Sequence, residues 1–248
     1  TWSIVKEAKS RGIPFIRLNE NSHIQLGYGA RQKRIQASIT SQTSAIAVEA
    51  ADEKTSVKEH LKKSGIPVPN GRMVSTEEEA IAVFNEIGAA VVVKPDVGNH
   101  GNGSTINITD PDQLKKAFQA ARAFCPDVIV EEYVHGSDFR LLVINGKLAA
   151  AAKREAAHVV GDGISSIRNL IQEVNADPRR GFGHEKVLTR IDIDDMTERL
   201  LSLRGLSPDS APGKGEKVYL KTTANLSQGG TAADVTDEVS PDIRLMAE

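Results

Sequence analysis

Residues 91–103 read VVVKPDVGNHGNG, an apolar run that leads into a lysine and then into a glycine-rich stretch. The apolar run predicts a buried strand from Ala89 to Val93, with Lys94 at its end. Residues 105–108 alternate polar and apolar side chains, so they predict a second strand and make the glycine-rich stretch a hairpin connection. Glycines let backbone N–H groups approach a polyphosphate closely, and a lysine beside them supplies a fixed positive charge. The stretch therefore indicates a phosphate site, with an ordinary tight turn and a solvated lysine as the alternative.

The residues around this stretch alternate between helix and strand patterns. Ser75 and Glu78 have the spacing of a capping box, which predicts a helix that stops at Gly88. Asp110 predicts the start of a further helix that runs to about Phe124. The alternation indicates an α+β fold.

Two more strands follow after a short apolar strand at residues 128–130. Residues 139–144 and 147–152 are predicted to pair across the turn Asn145-Gly146, because this dipeptide favours two-residue hairpin turns.

The N-terminal part has its own pattern. Residues 3–12 predict a helix with a glycine stop, and residues 13–18 predict a short strand. Residues 43–64 have high helical propensity, and Gly65-Ile66-Pro67-Val68-Pro69 ends them because proline cannot continue a helix.

The composition changes between Lys153 and Tyr219, where glycine, aspartate, arginine and proline are frequent. Two modest helices are predicted there, near residues 165–174 and 193–203. We expect this part to form a mobile subdomain.

Residues 130–138 read VEEYVHGSD and follow a predicted strand. The backbone of an extended hinge can bind the edge of an adenine, and a carboxylate further along can accept hydrogen bonds from ribose hydroxyls. Taken alone, a strand end with solvated acids is the commoner explanation.

Residues 225–231 read NLSQGGT and follow a strand predicted over residues 217–222. Such a loop could donate backbone and hydroxyl hydrogen bonds to a transferring phosphoryl group, with a plain loop as the alternative.

The chain lacks several common catalytic motifs. It has neither G-x-G-x-x-G opening a helix nor G-x-x-x-x-G-K-[ST], the two commonest nucleotide motifs. It has no G-x-S-x-G sequence to indicate a serine nucleophile. Its six histidines include no i, i+4 pair, so we expect no zinc site, and any metal should be Mg²⁺ on oxygen ligands.

Composition and charge restrict the possible partners. The 248 residues include 31 Lys and Arg against 33 Asp and Glu, a net charge of -2, which argues against binding of nucleic acid or an anionic membrane by a basic surface. The apolar runs are too short for a membrane-spanning helix. The single cysteine, Cys125, cannot form an intrachain disulfide and is expected to pack in the interior, which favours a reducing, cytoplasmic setting.

The motifs become specific when they are taken in order. Lys54 stands eleven residues before Gly65, and the Val-Val-Lys-Pro strand, the glycine-rich hairpin and the sequence Val-Glu-Glu-Tyr-Val-x-Gly-x-Asp follow. This order resembles the ATP-grasp ligases. The resemblance implies two lobes that clamp ATP, a preceding segment at residues 1–42, an ATP-grasp domain at residues 43–248 and a lid insertion at about residues 154–216.

The resemblance also implies roles for individual residues. Phosphate contacts fall to Lys54, Lys94, Gly98, Asn99, His100, Gly101 and Gly103; adenine contacts to Glu131, Glu132, Tyr133 and Val134; the ribose contact to Asp138; phosphoryl contacts to Asn225 and Ser227; and acceptor contacts to Arg154 and Ser22. ATP and Mg²⁺ are the implied cofactors.

Further motifs resemble the ATP-grasp ligases that extend an aspartate backbone. They are QLGYG at 25–29, QKRIQA at 32–37, VVGDG at 159–163, DPRRG at 177–181, and ANLS with GGT at 224–231. This implies that the terminal carboxylate of a poly-aspartate primer is activated as an acyl phosphate and then attacked by the amino group of aspartate. A homo-oligomer is also expected.

Two alternatives stay open. The Val-Gly-Asp-Gly and Asn-x-Ser-x-Gly-Gly regions are also similar to the glutathione-synthesising module of bifunctional glutamate–cysteine ligases. A catalytically silent nucleotide-binding module belongs to a different functional class.

The ends of the chain suggest a segment of a longer polypeptide. The first residue is Thr1, and residues 242–248 have the pattern of a helix that has only begun. In ATP-grasp ligases the Mg²⁺ ligands lie on strands near the end of the domain. We therefore expect a domain without its C-terminal part, metal ligands beyond Glu248, and an inactive isolated segment.

Overall fold

The computed structural model of the protein describes residues 2–97, 103–183 and 185–248. The chain divides into two units, residues 1–60 and residues 61–248. Both contain helices and antiparallel strands, as the α+β pattern predicts.

The first unit contains a four-stranded antiparallel sheet whose strand order follows the chain. Its elements are α1 (Trp2–Ser10), β1 (Phe15–Arg17), β2 (His23–Leu26), β3 (Lys33–Gln36), β4 (Ile39–Thr40), α2 (Ala45–Asp52) and α3 (Lys54–Lys63). The end of α3 lies beyond residue 60. Val5 of α1 packs against Ile24 and Ile35 of the sheet. The helix and strand predicted over residues 3–18 are confirmed.

The helical stretch predicted over residues 43–64 is two helices rather than one. Glu53 separates α2 from α3 with an extended backbone (φ -90°, ψ 109°), and its carbonyl accepts the N–H of Val57 at 3.1 Å. Helix propensity does not specify where one helix gives way to the next, so the composition does not indicate the break. The predicted stop is confirmed, because Gly65 follows α3 with φ +75°.

The second unit begins with a helix-covered sheet of strand order β5-β8-β6-β7. Its elements are β5 (Gly71–Val74), α4 (Glu77–Ile87), β6 (Val91–Pro95), β7 (Thr105–Ile108), α5 (Pro111–Arg122) and β8 (Val128–Glu132). Apolar residues of α4 and α5 pack with one face of the sheet, among them Val83, Leu114 and Phe118. β6 pairs with β7 antiparallel, as predicted, whereas residues 98–102 of the glycine-rich stretch lie outside the described residues.

The capping box of α4 lies one residue later than predicted. Thr76, not Ser75, is the N-cap, and its hydroxyl accepts the N–H of Glu79 at 3.2 Å. The Glu79 carboxylate in turn accepts the N–H groups of Ser75 and Thr76. Both pairs fit the capping-box pattern, and the sequence alone does not distinguish them. Gly88 ends the helix with φ +61°, as predicted.

A bulge in β7 directs one apolar side chain away from the core. Val91 pairs with Ile108 and Val93 pairs with Thr105, so β7 holds one extra residue between the two pairs. Asn107 supplies it with φ +58°, a left-handed conformation that asparagine tolerates. Ile108 therefore faces the helices, whereas Ile106 lies on the opposite face of the sheet.

The remaining elements of the second unit are β9 (Asp138–Ile144), β10 (Lys147–Glu155), β11 (His158–Val160), α6 (Ile167–Asn175), β12 (Arg180–Gly181), β13 (Leu188–Thr189), α7 (Asp195–Ser202), β14 (Lys217–Tyr219), β15 (Thr231–Asp234) and α8 (Pro241–Ala247). β10 lies between β15 and β9 in an antiparallel sheet. The predicted turn between β9 and β10 is confirmed, with φ +52° at Asn145 and +72° at Gly146.

Residues 154–216 contain the two predicted helices, α6 and α7. Together with β11 and β14 these helices enclose a hydrophobic core of their own, which includes Val159, Ile167, Leu201 and Val218. The strand predicted over residues 217–222 ends at Tyr219, because β14 pairs only with the three residues of β11.

Within the three described ranges, none of the helices combines the length and the apolar character that crossing a bilayer requires.

Candidate active site

A cleft of about 1400 Å³ lies in the second unit. It is bordered by the β8–β9 connection, the end of β10, α7 and the residues between β14 and β15, with Ile106 on its wall. The charged residues that line it are Lys153, Arg154, Arg204, Lys217, Lys221, Asp138 and Glu155. Five cations and two carboxylates belong to the described lining, and Arg204 and Lys221 also pair with Glu216 and Asp194 outside it. Lys153 forms no ion pair with a described carboxylate, which leaves an excess positive charge that favours an anionic ligand.

The β8–β9 connection leaves backbone donors available to a ligand, among them the N–H of Val134. The N–H of Glu132 donates to the carbonyl of Asn70 at 2.7 Å, and that of Tyr133 donates to the carbonyl of Ala90 at 2.8 Å. The side chain of Asn70 also donates to Glu132 Oε2 at 3.0 Å. Val134 lines the cleft, is 61% exposed, and its N–H has no partner among the described residues. Of the four residues predicted to contact adenine, Val134 therefore offers the free N–H.

Asp138 and Arg154 form an ion pair on the wall of the cleft. They are opposite each other on β9 and β10, and Arg154 Nε donates to Asp138 Oδ1 at 2.7 Å. The Arg154 side chain is 19% exposed and that of Asp138 is 44% exposed. The structure thus brings together a predicted ribose contact and a predicted acceptor contact.

Lys94 and Glu131 form a second ion pair, between β6 and β8. Val93 and Val130, their chain neighbours, belong to the core under the helices. Because side chains alternate across a strand, the ion pair lies on the other face of the sheet. Neither Lys94 nor Glu131 is among the described residues that line the cleft.

Glu155, at the end of β10, holds two side chains of β14. Its Oε1 accepts hydrogen bonds from Lys217 Nζ at 2.6 Å and from Tyr219 Oη at 3.1 Å. The bond from Lys217 holds the pKa of Glu155 below its usual value. Burial, together with the bond to Glu155, raises the pKa of Tyr219. The three side chains form a preorganised polar wall of the cleft.

Lys221 is a buried lysine at the edge of the cleft, 4% exposed. Its Nζ lies 2.5 Å from Asp194 Oδ2 and donates to Thr197 Oγ1 at 3.0 Å. Partial burial opposes ionisation of Asp194, but hydrogen bonds from Lys221 and Thr197 outweigh it, so the pKa of Asp194 is lowered. The ion pair ties the start of α7 to the residues after β14.

The loop between β14 and β15 requires two glycines. A Cβ at Gly230 would lie 2.8 Å from the carbonyl oxygens of both Asn225 and Glu155. Gly229 has φ +90°, and a Cβ there would lie 2.6 Å from Ile191 Cγ1. The two glycines therefore allow a close approach to the protein itself, and the phosphoryl contact expected of this loop stays a prediction.

The other predicted site residues are distributed over the chain. In the first unit, Ser22 Oγ accepts the N–H of Ala37 at 3.1 Å, and Lys54 is the first residue of α3. Ser227 lies in a 3-10 turn over Leu226–Gln228. Gly103 has φ +69°, and a Cβ there would lie 2.7 Å from Phe124 Cδ2. The predicted phosphate contacts that fall outside the described residues are Gly98, Asn99, His100 and Gly101.

Four polar residues of the cleft were not predicted from the sequence: Glu155, Lys217, Tyr219 and Lys221. One signal could have found three of them, since the stretch KVYLK at residues 217–221 alternates polar with apolar residues. Val218 and Leu220 are fully buried, so the polar residues at alternate positions point the other way.

The described residues offer no ready metal site. No group of three or more His, Cys, Asp or Glu side chains among them is placed to hold a metal ion. The two cleft carboxylates, Asp138 and Glu155, are each paired with a cation.

Comparisons with known proteins define the class. Residues 50–162 match the RimK-like ATP-grasp domain family. Over 98% of its length the chain resembles the crystal structure of a bifunctional glutathione synthetase from Pasteurella multocida, with a TM-score of 0.64 and 30% identity, and it covers 34% of that chain. The protein has the ATP-grasp fold.

Two kinds of biosynthetic protein are similar to this chain in sequence. The chain is 46% identical over its whole length to cyanophycin synthetase from Trichormus variabilis and 45% identical to that from Nostoc sp.. It is 35% identical, over 96% of its length, to the bifunctional glutathione biosynthesis protein of Listeria innocua, of which it covers 32%. The chain spans 28% of the length of the two cyanophycin synthetases.

Proposed function

We propose that this chain is the ATP-grasp part of an ATP-dependent carboxylate–amine ligase that adds aspartate to the backbone of cyanophycin, a multi-L-arginyl-poly-L-aspartate. The observation that carries the proposal is the positively charged cleft, with five cations and two carboxylates among its described lining residues. Identity of 45–46% with cyanophycin synthetases over the whole chain supports the choice of substrate.

ATP fits the described cleft in volume and chemistry. The free N–H of Val134 can donate to an adenine ring nitrogen, and the carboxylate of Asp138 can accept from a ribose hydroxyl. Lys94 reaches the phosphates if it exchanges Glu131 for them. We assign the remaining phosphate contacts to Lys54 and the glycine-rich stretch.

The chemistry requires two anions to meet. The terminal carboxylate of a poly-aspartate primer attacks the γ-phosphorus of ATP, the bond to ADP breaks, and an acyl phosphate forms. The amino group of aspartate then attacks the acyl carbon, and phosphate leaves as the amide bond forms. Cationic side chains that line the cleft offset the repulsion between the reactants, and they do so more strongly where water is excluded.

Four further residues are assigned to the primer carboxylate and to the phosphoryl group that is transferred. Arg154 lies at the cleft and is assigned to the primer carboxylate, with its pairing to Asp138 keeping it in place. Ser22 is assigned to the same acceptor. Asn225 and Ser227 are assigned to the transferring phosphoryl group, which a loop of small residues can approach closely.

Mg²⁺ is proposed to accompany ATP, since it neutralises phosphate charge in such reactions. The described residues form no cluster that fits it. We therefore assign no residue of this chain as a magnesium ligand, and no step above depends on one.

Similarity to glutathione-synthesising proteins supports a second candidate. The Listeria relative is 35% identical, and the Pasteurella structure has a TM-score of 0.64. In that case the acceptor would be γ-glutamylcysteine and the incoming amine glycine. A catalytically silent nucleotide-binding module is the third candidate.

We also propose the domain bounds, the cellular location and the assembly of the protein. We place residues 43–248 in the ATP-grasp domain, with residues 1–42 before it and residues 154–216 as its lid. The protein would act in the cytoplasm as a homo-oligomer and as part of a longer multidomain chain.

Initial rates of ADP release by the full-length protein separate the three candidates. The proposal predicts ADP release that requires both aspartate and a poly-aspartate primer, with aspartate found at the C-terminus of the product by mass spectrometry. Release that requires γ-glutamylcysteine and glycine would establish the second candidate. Nucleotide binding without turnover under either condition would establish the third.

A further inference from the structure

A smaller cavity of about 250 Å³ lies beside the cleft in the second unit. Its wall is largely apolar and includes Val159, Leu170 and Val174. Arg180 is the charged side chain buried in that wall. Thr231 lines both this cavity and the cleft, so the two spaces adjoin at β15.

Arg180 is 6% exposed and uses only part of its hydrogen-bonding capacity. One nitrogen, Nη1, donates to the carbonyl of Thr189 at 2.5 Å and to the carbonyl of Gly229 at 2.9 Å. The other two nitrogens, Nε and Nη2, have no hydrogen-bond partner within the described part of the chain. Every side-chain nitrogen of a non-exposed residue in this part of the chain has either a hydrogen-bond partner or some accessible surface. Nε and Nη2 have no partner there, so they reach open space. The open space that Arg180 lines is the cavity.

The buried guanidinium also lacks a carboxylate. No Asp or Glu side chain of the described ranges forms an ion pair with Arg180. Its neighbour Asp177 is engaged by Arg179, with an Nη2–Oδ2 distance of 2.7 Å. Burial lowers the pKa of Arg180, against the attraction of Asp177. A buried cation without a contacting anion is costly, and a ligand carboxylate would remove that cost.

The free edge of Arg180 specifies the ligand group. Nε and Nη2 project side by side and match the two oxygens of a carboxylate. The apolar wall suits a short aliphatic stem, whereas a hydrated phosphate would need more donors than this cavity offers. Glu173, the carboxylate of the lining, is exposed, and solvent screens its repulsion.

We propose that this cavity binds a carboxylate of the incoming amino acid, and that Arg180 is its specific contact. The proposal rests on the proposed function, because the amino acid that attacks in the cleft must be held next to it. Because Thr231 lines both spaces, an amino acid held by Arg180 would lie next to the cleft. The same guanidinium holds Gly229, so binding would also steady the loop between β14 and β15.

Calorimetry on the full-length protein, with a nonhydrolysable ATP analogue present, tests the subsite with L-aspartate as the probe. Arg180→Lys keeps the positive charge and removes the pair of parallel N–H donors. Val174→Phe fills the cavity and leaves the hydrogen bonds of Arg180 in place. Both should raise the Kd for aspartate about tenfold or more, with the affinity for the ATP analogue changed less than about twofold. Arg179→Lys and Ile193→Phe are the matched controls and should bind aspartate like the wild type. Arg179 is exposed, and Ile193 packs on the same core without lining the cavity.

Unchanged aspartate affinity in Val174→Phe would overturn the proposal, and so would inorganic phosphate competing with aspartate as well as succinate does. If Arg180→Lys does not fold, Val174→Phe decides alone. Binding is measured without turnover, so it is separate from the ligase proposal. Aspartate binding that is lost in Val174→Phe would support the subsite even if no aspartate-dependent ADP release were found.

Discussion

Arg154 Nε donates to Asp138 Oδ1 at 2.7 Å, and the two residues lie opposite each other on adjacent antiparallel strands. The two residues have different proposed ligands, the ribose for Asp138 and the acceptor for Arg154. Their contact means that the two proposed sites share a boundary, so a substitution of one residue should also change binding at the other site.

A double-mutant cycle measures this coupling by comparing Asp138→Asn, Arg154→Gln and the variant that carries both changes. We expect Asp138→Asn to weaken the binding of an ATP analogue by about 1.5–3 kcal/mol, since it removes a charged acceptor. Arg154→Gln should weaken primer binding instead, with a smaller effect on ATP. The free energy of unfolding should fall by about 1 kcal/mol or less in either variant, because Asp138 is 44% exposed. Calorimetry and urea unfolding give both quantities, and unchanged ATP affinity in Asp138→Asn would remove its assignment to the ribose.

Lys94 provides a second test. If it contacts the phosphates, Lys94→Met should cost about 1.5–3 kcal/mol of ATP binding, which is a rise in Kd of about 12-fold to 140-fold. Lys116→Met, at an exposed position of α5, is the matched control and should bind ATP normally. Equal affinity in the two variants would show that Lys94 serves only its ion pair with Glu131.

Substitution of Gly230 tests whether the loop between β14 and β15 must keep its backbone path. Gly230→Ala would bring a Cβ within 2.8 Å of two carbonyl oxygens. We expect a loss of about 1–3 kcal/mol in stability, together with slower turnover. Gly213→Ala should be tolerated, because its added Cβ would lie 3.6 Å from Glu216 Oε2, an ordinary contact with a side-chain end. Equal thermal unfolding of the two variants would contradict this account of the loop.

Asp162 predicts a specific dependence of stability on pH. It accepts hydrogen bonds from the N–H groups of Ser165 and Ile164 and from the Ser165 hydroxyl. These bonds lower the pKa of Asp162 from 3.8 to about 2. Because the folded-state pKa is depressed, the stabilisation is fully present above about pH 3.8 and is lost as the pH falls to about 2.

Urea unfolding across that pH range should therefore show a steeper loss for the wild type than for Asp162→Asn. Ser165→Ala removes one donor and keeps both N–H groups, so carboxyl NMR should place its Asp162 pKa between the wild-type and ordinary values. A wild-type Asp162 that titrates at its ordinary pKa would refute the prediction.

Much of the fold could be predicted because local signals specify it. The Asn145-Gly146 turn, the cap at Asp110 and the stop at Gly88 are each encoded within a few residues. The capping box was displaced by one residue because Ser75-x-x-Glu78 and Thr76-x-x-Glu79 overlap. The break at Glu53 has no such local signal, because neither glycine nor proline stands near it and both Glu53 and Lys54 favour helix.

The site was less predictable because its contacts join residues that are distant in the chain. Lys94 meets Glu131 only because β6 and β8 are neighbours in the sheet. Glu155 and Lys217 are separated by 62 positions and meet across the cleft wall. Motif order identified the class of site, whereas these pairings depend on strand order, which the patterns do not specify.

Transfer of oxygen from the primer to phosphate tests the central claim most directly. A poly-aspartate primer whose terminal carboxylate carries a heavy oxygen isotope at both oxygens is incubated with the full-length protein, ATP and aspartate whose carboxylates are labelled in the same way, so that every newly added terminal carboxylate is labelled as well. Activation as an acyl phosphate predicts one labelled oxygen in each inorganic phosphate released, in equal amount to the amide bonds formed. Unlabelled phosphate alongside an extended primer would contradict the proposed mechanism.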